Sequence, residues 1–187
     1  MVSKGKILGK SALIFVTVGS TNFQFNRLFS AIDESVLKLH KNIFLEVQAG
    51  NSQYRWRNRN TNIRDYLRSS KMIEFFKKAD KIISHAGPAS IYLSVKYSKN
   101  VPLIVPRLFG FGEHVDNHQL HFISFLRQKV PRNMSKFFVI DRDFQESIFN
   151  YLKEEPKKNI LRQYLFQNSN TTQLYQKLTK FIETNLK

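Results

Sequence analysis

The residues able to do chemistry cluster directly after apolar runs: Gly19-Ser20-Thr21, then Gln48-Ala49-Gly50-Asn51, then His85-Ala86-Gly87-Pro88. The third is the most informative. Ser84-His85-Ala86-Gly87-Pro88-Ala89-Ser90 joins a strand-like run to a helix-like one through small residues, so backbone N–H groups at a helix N-terminus can approach a phosphate closely. Such a segment can cradle a pyrophosphate, and a tight turn that needs Gly for its geometry produces the same pattern. No GxGxxG and no GxxxxGK[ST] occurs, so the dinucleotide and P-loop readings lack their fingerprints.

Four of the five histidines, His85, His114, His118 and His121, fall between residues 85 and 121, with Glu113 and Asp116 close by. Clustered imidazoles can ligate a metal, but HExxH is absent and imidazoles beside a phosphate loop serve equally as hydrogen-bond donors or proton carriers. The expectation is a site without metal. Asp141-Arg142-Asp143 matches the short DxD pattern of metal-dependent sugar transferases, and acids at a strand end before a helix are ordinarily caps. Tyr54, Trp56 and the five arginines from Arg55 to Arg68 could stack on and neutralise a nucleic acid, or form a solvated basic loop.

Positioning these residues requires strands that end where the motifs begin. Residues 13–18, 43–48, 81–84, 101–106 and 137–140 read as strands, the first a continuous apolar run of the kind buried on both faces of a parallel sheet. Between them, Phe25, Leu28, Phe29, Ile32, Val36 and Leu39 recur at helical spacing, residues 63–76 suggest an interrupted helix, and Pro88 falls in the first turn of the next. Alternation of this kind predicts an α/β class, a Rossmann-like open parallel sheet with helices on both faces, whose ligand lies beyond the carboxyl ends of the strands.

With 187 residues, one domain is expected, its core over about 11–150 and a helical C-terminal tail over about 151–187. The absence of Cys removes disulfide frameworks, thiolate zinc and Cys nucleophiles. The apolar run after the basic first residues is too short for a signal peptide and reads as a strand, and no stretch approaches the roughly 20 apolar residues of a membrane-spanning helix. A net charge of +16 predicts attraction to polyanions, whether nucleic acid, anionic lipid or a phosphorylated substrate.

Four motifs in register then carry a resemblance: Phe15-Val16-Thr17-Val18-Gly19-Ser20-Thr21; Ile82-Ile83-Ser84-His85-Ala86-Gly87-Pro88-Ala89-Ser90; Val101-Pro102-Leu103-Ile104-Val105-Pro106-Arg107; and Phe111-Gly112-Glu113-His114-Val115-Asp116-Asn117-His118-Gln119. Together they resemble the C-terminal domain of glycosyltransferase family 28, over roughly residues 13–130. Within it they are most similar to the single-domain transferase subunits of bacterial capsule and exopolysaccharide synthesis and to the soluble subunit of the eukaryotic two-subunit N-acetylglucosaminyltransferase.

The resemblance implies the donor-binding half of a GT-B fold, with a membrane-anchored glycosyltransferase partner subunit supplying the other half. It implies transfer of a hexose, such as galactose or glucose, from a UDP-sugar to a lipid-linked saccharide acceptor, by inversion and with no obligatory metal. Gly19, Ser20 and Thr21, Gln48 and Gly50, and His85, Ala86, Gly87 and Pro88 would surround the donor, and Glu113, His114, His118 and Gln119 would contact its sugar or phosphates. His85, Glu113 and His114 are the expected catalytic residues. The expected location is cytoplasmic, peripheral at the inner face of the cell membrane through the partner, with no nucleic acid bound. One departure stands out: the Glu that many family members use to hold the ribose is Leu93 here. It keeps open an accessory subunit that activates its partner without turning over, and the charge keeps open a nucleic-acid-binding domain.

Overall fold

The computed structural model describes residues 11–140 and 144–166. Its centre is a five-stranded, wholly parallel sheet made of β1 (Ala12–Thr17), β2 (Ile43–Gln48), β3 (Thr61–Arg64), β4 (Lys81–His85) and β5 (Leu103–Val105), in the order β3-β2-β1-β4-β5. The fold is α/β and Rossmann-like, as the alternating pattern predicts.

Side chains of β1 alternate between two cores. Ile14 and Val16 face a cluster with Leu28, Phe29 and Ile32 of α1 (Asn26–Leu39) and Ile148 and Leu152 of α6 (Phe144–Lys153), while Phe15 packs on Phe75 and Phe76 of α2 (Ser69–Lys78) and Leu93 of α3 (Pro88–Tyr97). Both faces are therefore covered, which is why the strand is apolar from Ala12 to Val16. A third cluster joins α3 to α4 (His118–Lys129), α5 (Arg132–Ser135) and α7 (Leu161–Leu165) beside β5.

Two expectations need correction. Residues 61–64 form an edge strand, where the Ile63, Leu67, Met72 spacing suggests the start of a helix; α2 begins only at Ser69. No helix links β2 to β3. Instead Tyr54 and Trp56 pack on Phe29, and the fully buried Asp33 accepts hydrogen bonds from the Arg57 and Asn58 amides, the Arg57 guanidinium and the Tyr54 hydroxyl. Residues 137–140 are not a strand. They make a single parallel bridge, Ile104 donating its N–H to Phe137 and accepting from Val139 at 2.8 Å each.

A buried lysine closes the far end of the sheet. Lys81 donates through Nζ to the carbonyls of Tyr151 and Leu152, at 2.7 and 2.8 Å, and of Glu154, at the C-terminal end of α6 where a cation offsets the helix dipole. Asp141-Arg142-Asp143 and the tail residues Leu174, Leu178, Phe181 and Ile182 lie outside the described residues; of the earlier tail, Leu161 and Leu165 are buried in the chain's own core.

Candidate functional site

In this strand order the chain reverses direction across the sheet between β1 and β4, and the crevice at their carboxyl ends is where open α/β sheets bind ligands. The loop after β1 is fixed from below. Gln48 accepts hydrogen bonds from the Thr17 hydroxyl (2.5 Å) and the Gly19 N–H (3.2 Å), and donates to the carbonyls of Gly19 and Asp65. Gly19 has φ +77° and Gly50 φ +56°, both left-handed, and a Cβ on Gly50 would lie 2.6 Å from the Gly19 carbonyl oxygen, so the two loops touch through bare backbone. Asn51 ties them again at 3.1 Å to the Thr21 carbonyl. Among the described residues no group accepts from the N–H of Ser20, Thr21 or Asn22, and the buried Thr21 hydroxyl has no partner.

Facing this loop stands His85, the last residue of β4 and 6% exposed. Its ring fills the gap between the two glycine-bearing loops: a Cβ on Gly19 would lie 2.6 Å from Nε2, and one on Gly87 would also collide with Nε2. Nδ1 is buried without a partner. Ala86 is fully buried, Pro88 opens α3 at its first position as the sequence predicts, and the first helical hydrogen bond runs from the Ile91 N–H to the Gly87 carbonyl. The preceding amides at this helix start are left for a ligand or water. Unpaired amides on two facing loops, the positive end of a helix and an orphaned imidazole are the makings of an anion site.

Burial, and then the Arg107 guanidinium, push the His85 imidazole down from its ordinary 6.5 to about 3, against a raising contribution from the Thr17 backbone. His85 is therefore neutral near pH 7, a hydrogen-bonding group without charge. Because the unfolded chain takes up a proton that the native one refuses, stability is full above pH 6.5 and falls as pH drops from 6.5 toward 3. Between pH 7 and 4.5 this group alone should remove about 3 kcal/mol. Urea denaturation of the wild type and His85→Gln at both pH values checks this; equal losses in the two proteins would show that the imidazole does not carry the effect.

Behind the loop lies a fully buried Arg107. Its Nη1 donates to the carbonyls of Phe23, Gln24 and Glu113, its Nη2 to that of Val18, and its own N–H is accepted by Gln119. Burial lowers its pKa to about 10, opposed by the charge of Glu113. Glu113 is 3% exposed and holds Arg27 through both carboxylate oxygens, at 2.9 and 2.8 Å, with the Leu108 N–H as a third donor. With its lone pairs so engaged, Glu113 fixes the loop after β5 against α1, so its contacts are those of a positioning residue and not of a proton acceptor. Gln119, likewise buried, positions the Arg107 backbone. His114 stacks on Phe23 at 5.8 Å and meets the His118 ring at 4.4 Å. His118 is exposed, and its Nδ1 lies 2.5 Å from Asp116.

The sequence model of the glycosyltransferase family 28 C-terminal domain matches residues 13–133, which spans β1 to α5 and every loop described above. The chain belongs to this family. No curated protein matches it. Among solved structures, it is similar to the glycotransferase of kitacinnamycin, at 14% identity and a TM-score of 0.49, over 100% of this chain and 46% of the other. The chain thus spans less than half the length of that protein.

For this family 28 domain, the structure brings Gly19, Ser20, Thr21, Gln48, Gly50, His85, Ala86, Gly87 and Pro88 to one end of the sheet and puts Glu113 and His114 on the loop after β5 and His118 and Gln119 at the start of α4. Gln48, Glu113 and Gln119 are buried as scaffold. Two residues that sequence reasoning gave no role, Arg27 and Arg107, organise the site; nothing in their spacing marks them. Leu93 is buried among Phe15, Phe75 and Phe76, so no carboxylate is offered from that position. Tyr54 and Trp56 are spent on packing against Phe29 and each other, which leaves their rings poorly placed to stack on bases. No helix among the described residues is long and apolar enough to cross a membrane.

Proposed function

We propose that this glycosyltransferase domain binds the UDP-sugar donor and passes its hexose, galactose or glucose, to a lipid-diphosphate-linked acceptor, as the donor-binding half of a two-chain GT-B enzyme in capsular or exopolysaccharide synthesis. The observation that carries the reading is the facing pair of loops at the switch point, with unpaired amides on residues 20–22, the start of α3 and the buried, unpartnered His85 between them. The acceptor hydroxyl attacks C1 of the hexose as the bond from C1 to the UDP oxygen breaks, inverting the centre. The electron pair leaves on the diphosphate. Backbone amides and the α3 N-terminus stabilise that charge without reorganising, and no metal is obligatory. A neutral His85 adds an uncharged hydrogen-bonding group. The acceptor's proton goes to a base on the membrane-anchored partner, which also holds this positively charged chain at the cytoplasmic face of the cell membrane.

A second reading rests on Leu93. With an apolar side chain where the family's ribose-binding acid stands, the domain would activate its partner without binding donor. Calorimetric titration with UDP separates the two. Saturable binding by the wild type, weakened at least about tenfold in His85→Ala, supports donor binding. A folded chain that binds no UDP, alone or with its partner, would overturn it in favour of the accessory role.

A further inference from the structure

We infer that His114, Asp116 and His118 form a binding site for a single divalent cation of borderline softness, of the zinc class, at the rim of the donor crevice. One imidazole nitrogen from each histidine and one carboxylate oxygen lie within 4.8 Å of one another, the one group among the described residues with this property. The three residues belong to one turn leading into α4, so the sequence brings them together without help from distant contacts.

Ligand atoms on a tetrahedral zinc stand about 3.3 Å apart, given bonds of about 2.0–2.2 Å. Asp116 Oδ1 is 2.5 Å from His118 Nδ1 and 3.7 Å from His114 Nδ1, so the pairs bracket that separation. Small rotations of two side chains, 50% and 56% exposed, bring them to it. His114 is the fixed member: its side chain is 14% exposed, its ring stacks on Phe23, and its Nδ1 accepts the Val115 N–H at 2.9 Å. That hydrogen bond shows a lone pair on the nitrogen, the form a cation needs; loading replaces the Val115 N–H by the metal. Two neutral imidazoles and one carboxylate leave a cation of charge +2 with a net positive charge and a coordination position open to water. Nitrogen and oxygen ligands together select zinc, cobalt or nickel over magnesium and calcium, which take oxygen alone. Glu113 stays out of the set, because Arg27 and the Leu108 N–H occupy its carboxylate. The site is independent of the transfer chemistry proposed above.

Titration of the tag-free protein with Co²⁺ tests it. One equivalent is expected to bind, giving the visible d–d bands of a low-symmetry nitrogen and oxygen site, and Zn²⁺ is expected to displace it. His118→Ala and Asp116→Asn should each weaken binding at least about tenfold, whereas His121→Ala should leave it unchanged. Circular dichroism of the variants confirms that they fold. Binding unaffected by either ligand substitution, or absence of a saturable d–d signal from the folded wild type, overturns the assignment.

Discussion

Replacing Arg107 by methionine should lower stability by about 3 kcal/mol and abolish UDP binding. Methionine fills much of the volume but donates nothing, so the carbonyls of Val18, Phe23, Gln24 and Glu113 lose their partner at once. Hydrogen bonds from a charged donor contribute about 1.5–3 kcal/mol each, so the gross loss is large. Against it stands relief from burying a guanidinium, a penalty of several kcal/mol that the depressed pKa of Arg107 registers. Four engaged carbonyls outweigh one desolvated charge. For a domain of this size the difference should appear as a fall in Tm of about 6–12 °C. Binding suffers separately, because the carbonyls of residues 18, 23 and 24 aimed at Arg107 are what hold the loop's other edge toward the crevice. Lysine should not rescue: a point charge cannot reach carbonyls that a planar fork spans. A loss below about 1 kcal/mol in urea titration would show that the loop is held by Gln48 and its backbone alone.

The unequal legibility of this chain has physical causes. β1 and α1 were readable because a strand buried on both faces is apolar throughout and an amphipathic helix repeats its apolar residues every three or four positions. β3 was not, since an exposed edge strand of four residues with Ile63 as its sole apolar member has no period to detect. Residues 137–140 mislead for the converse reason. Phe137, Phe138 and Val139 are apolar because α4, α5 and α6 bury them, and a strand would need the same residues. The glycines and His85 of the site were legible as a strand-end pattern. Arg107 was not, because its partners lie up to 89 residues away and an arginine after Val-Pro looks the same whether solvated or buried. The Arg27–Glu113 pair, 86 residues apart, is hidden in the same way.

Gly19→Ala should weaken UDP binding on the order of a hundredfold while leaving a folded protein. Two separate costs act at this position. The left-handed φ of +77° strains any side chain by about 1–2 kcal/mol, and the new Cβ would stand 2.6 Å from the His85 ring, which is too deeply buried to swing aside. Gly112 supplies the comparison, since its φ of +65° imposes the same strain with no atom within 4 Å of an added Cβ. Gly112→Ala should therefore lose about 1 kcal/mol of stability and keep its affinity for UDP. The double variant Gly19→Ala, His85→Ala isolates the second cost. Removing the ring makes room for the methyl group, so its stability loss should fall short of the sum of the two single losses by at least about 1 kcal/mol. Its UDP affinity should stay low, because the unpartnered imidazole proposed to meet the diphosphate is gone. Recovery of binding in the double variant would mean that His85 merely fills space between the loops and that the amides of residues 20–22 and the start of α3 hold the ligand unaided. Losses that simply add would mean that the two side chains never meet, contrary to the packing of β1 against β4.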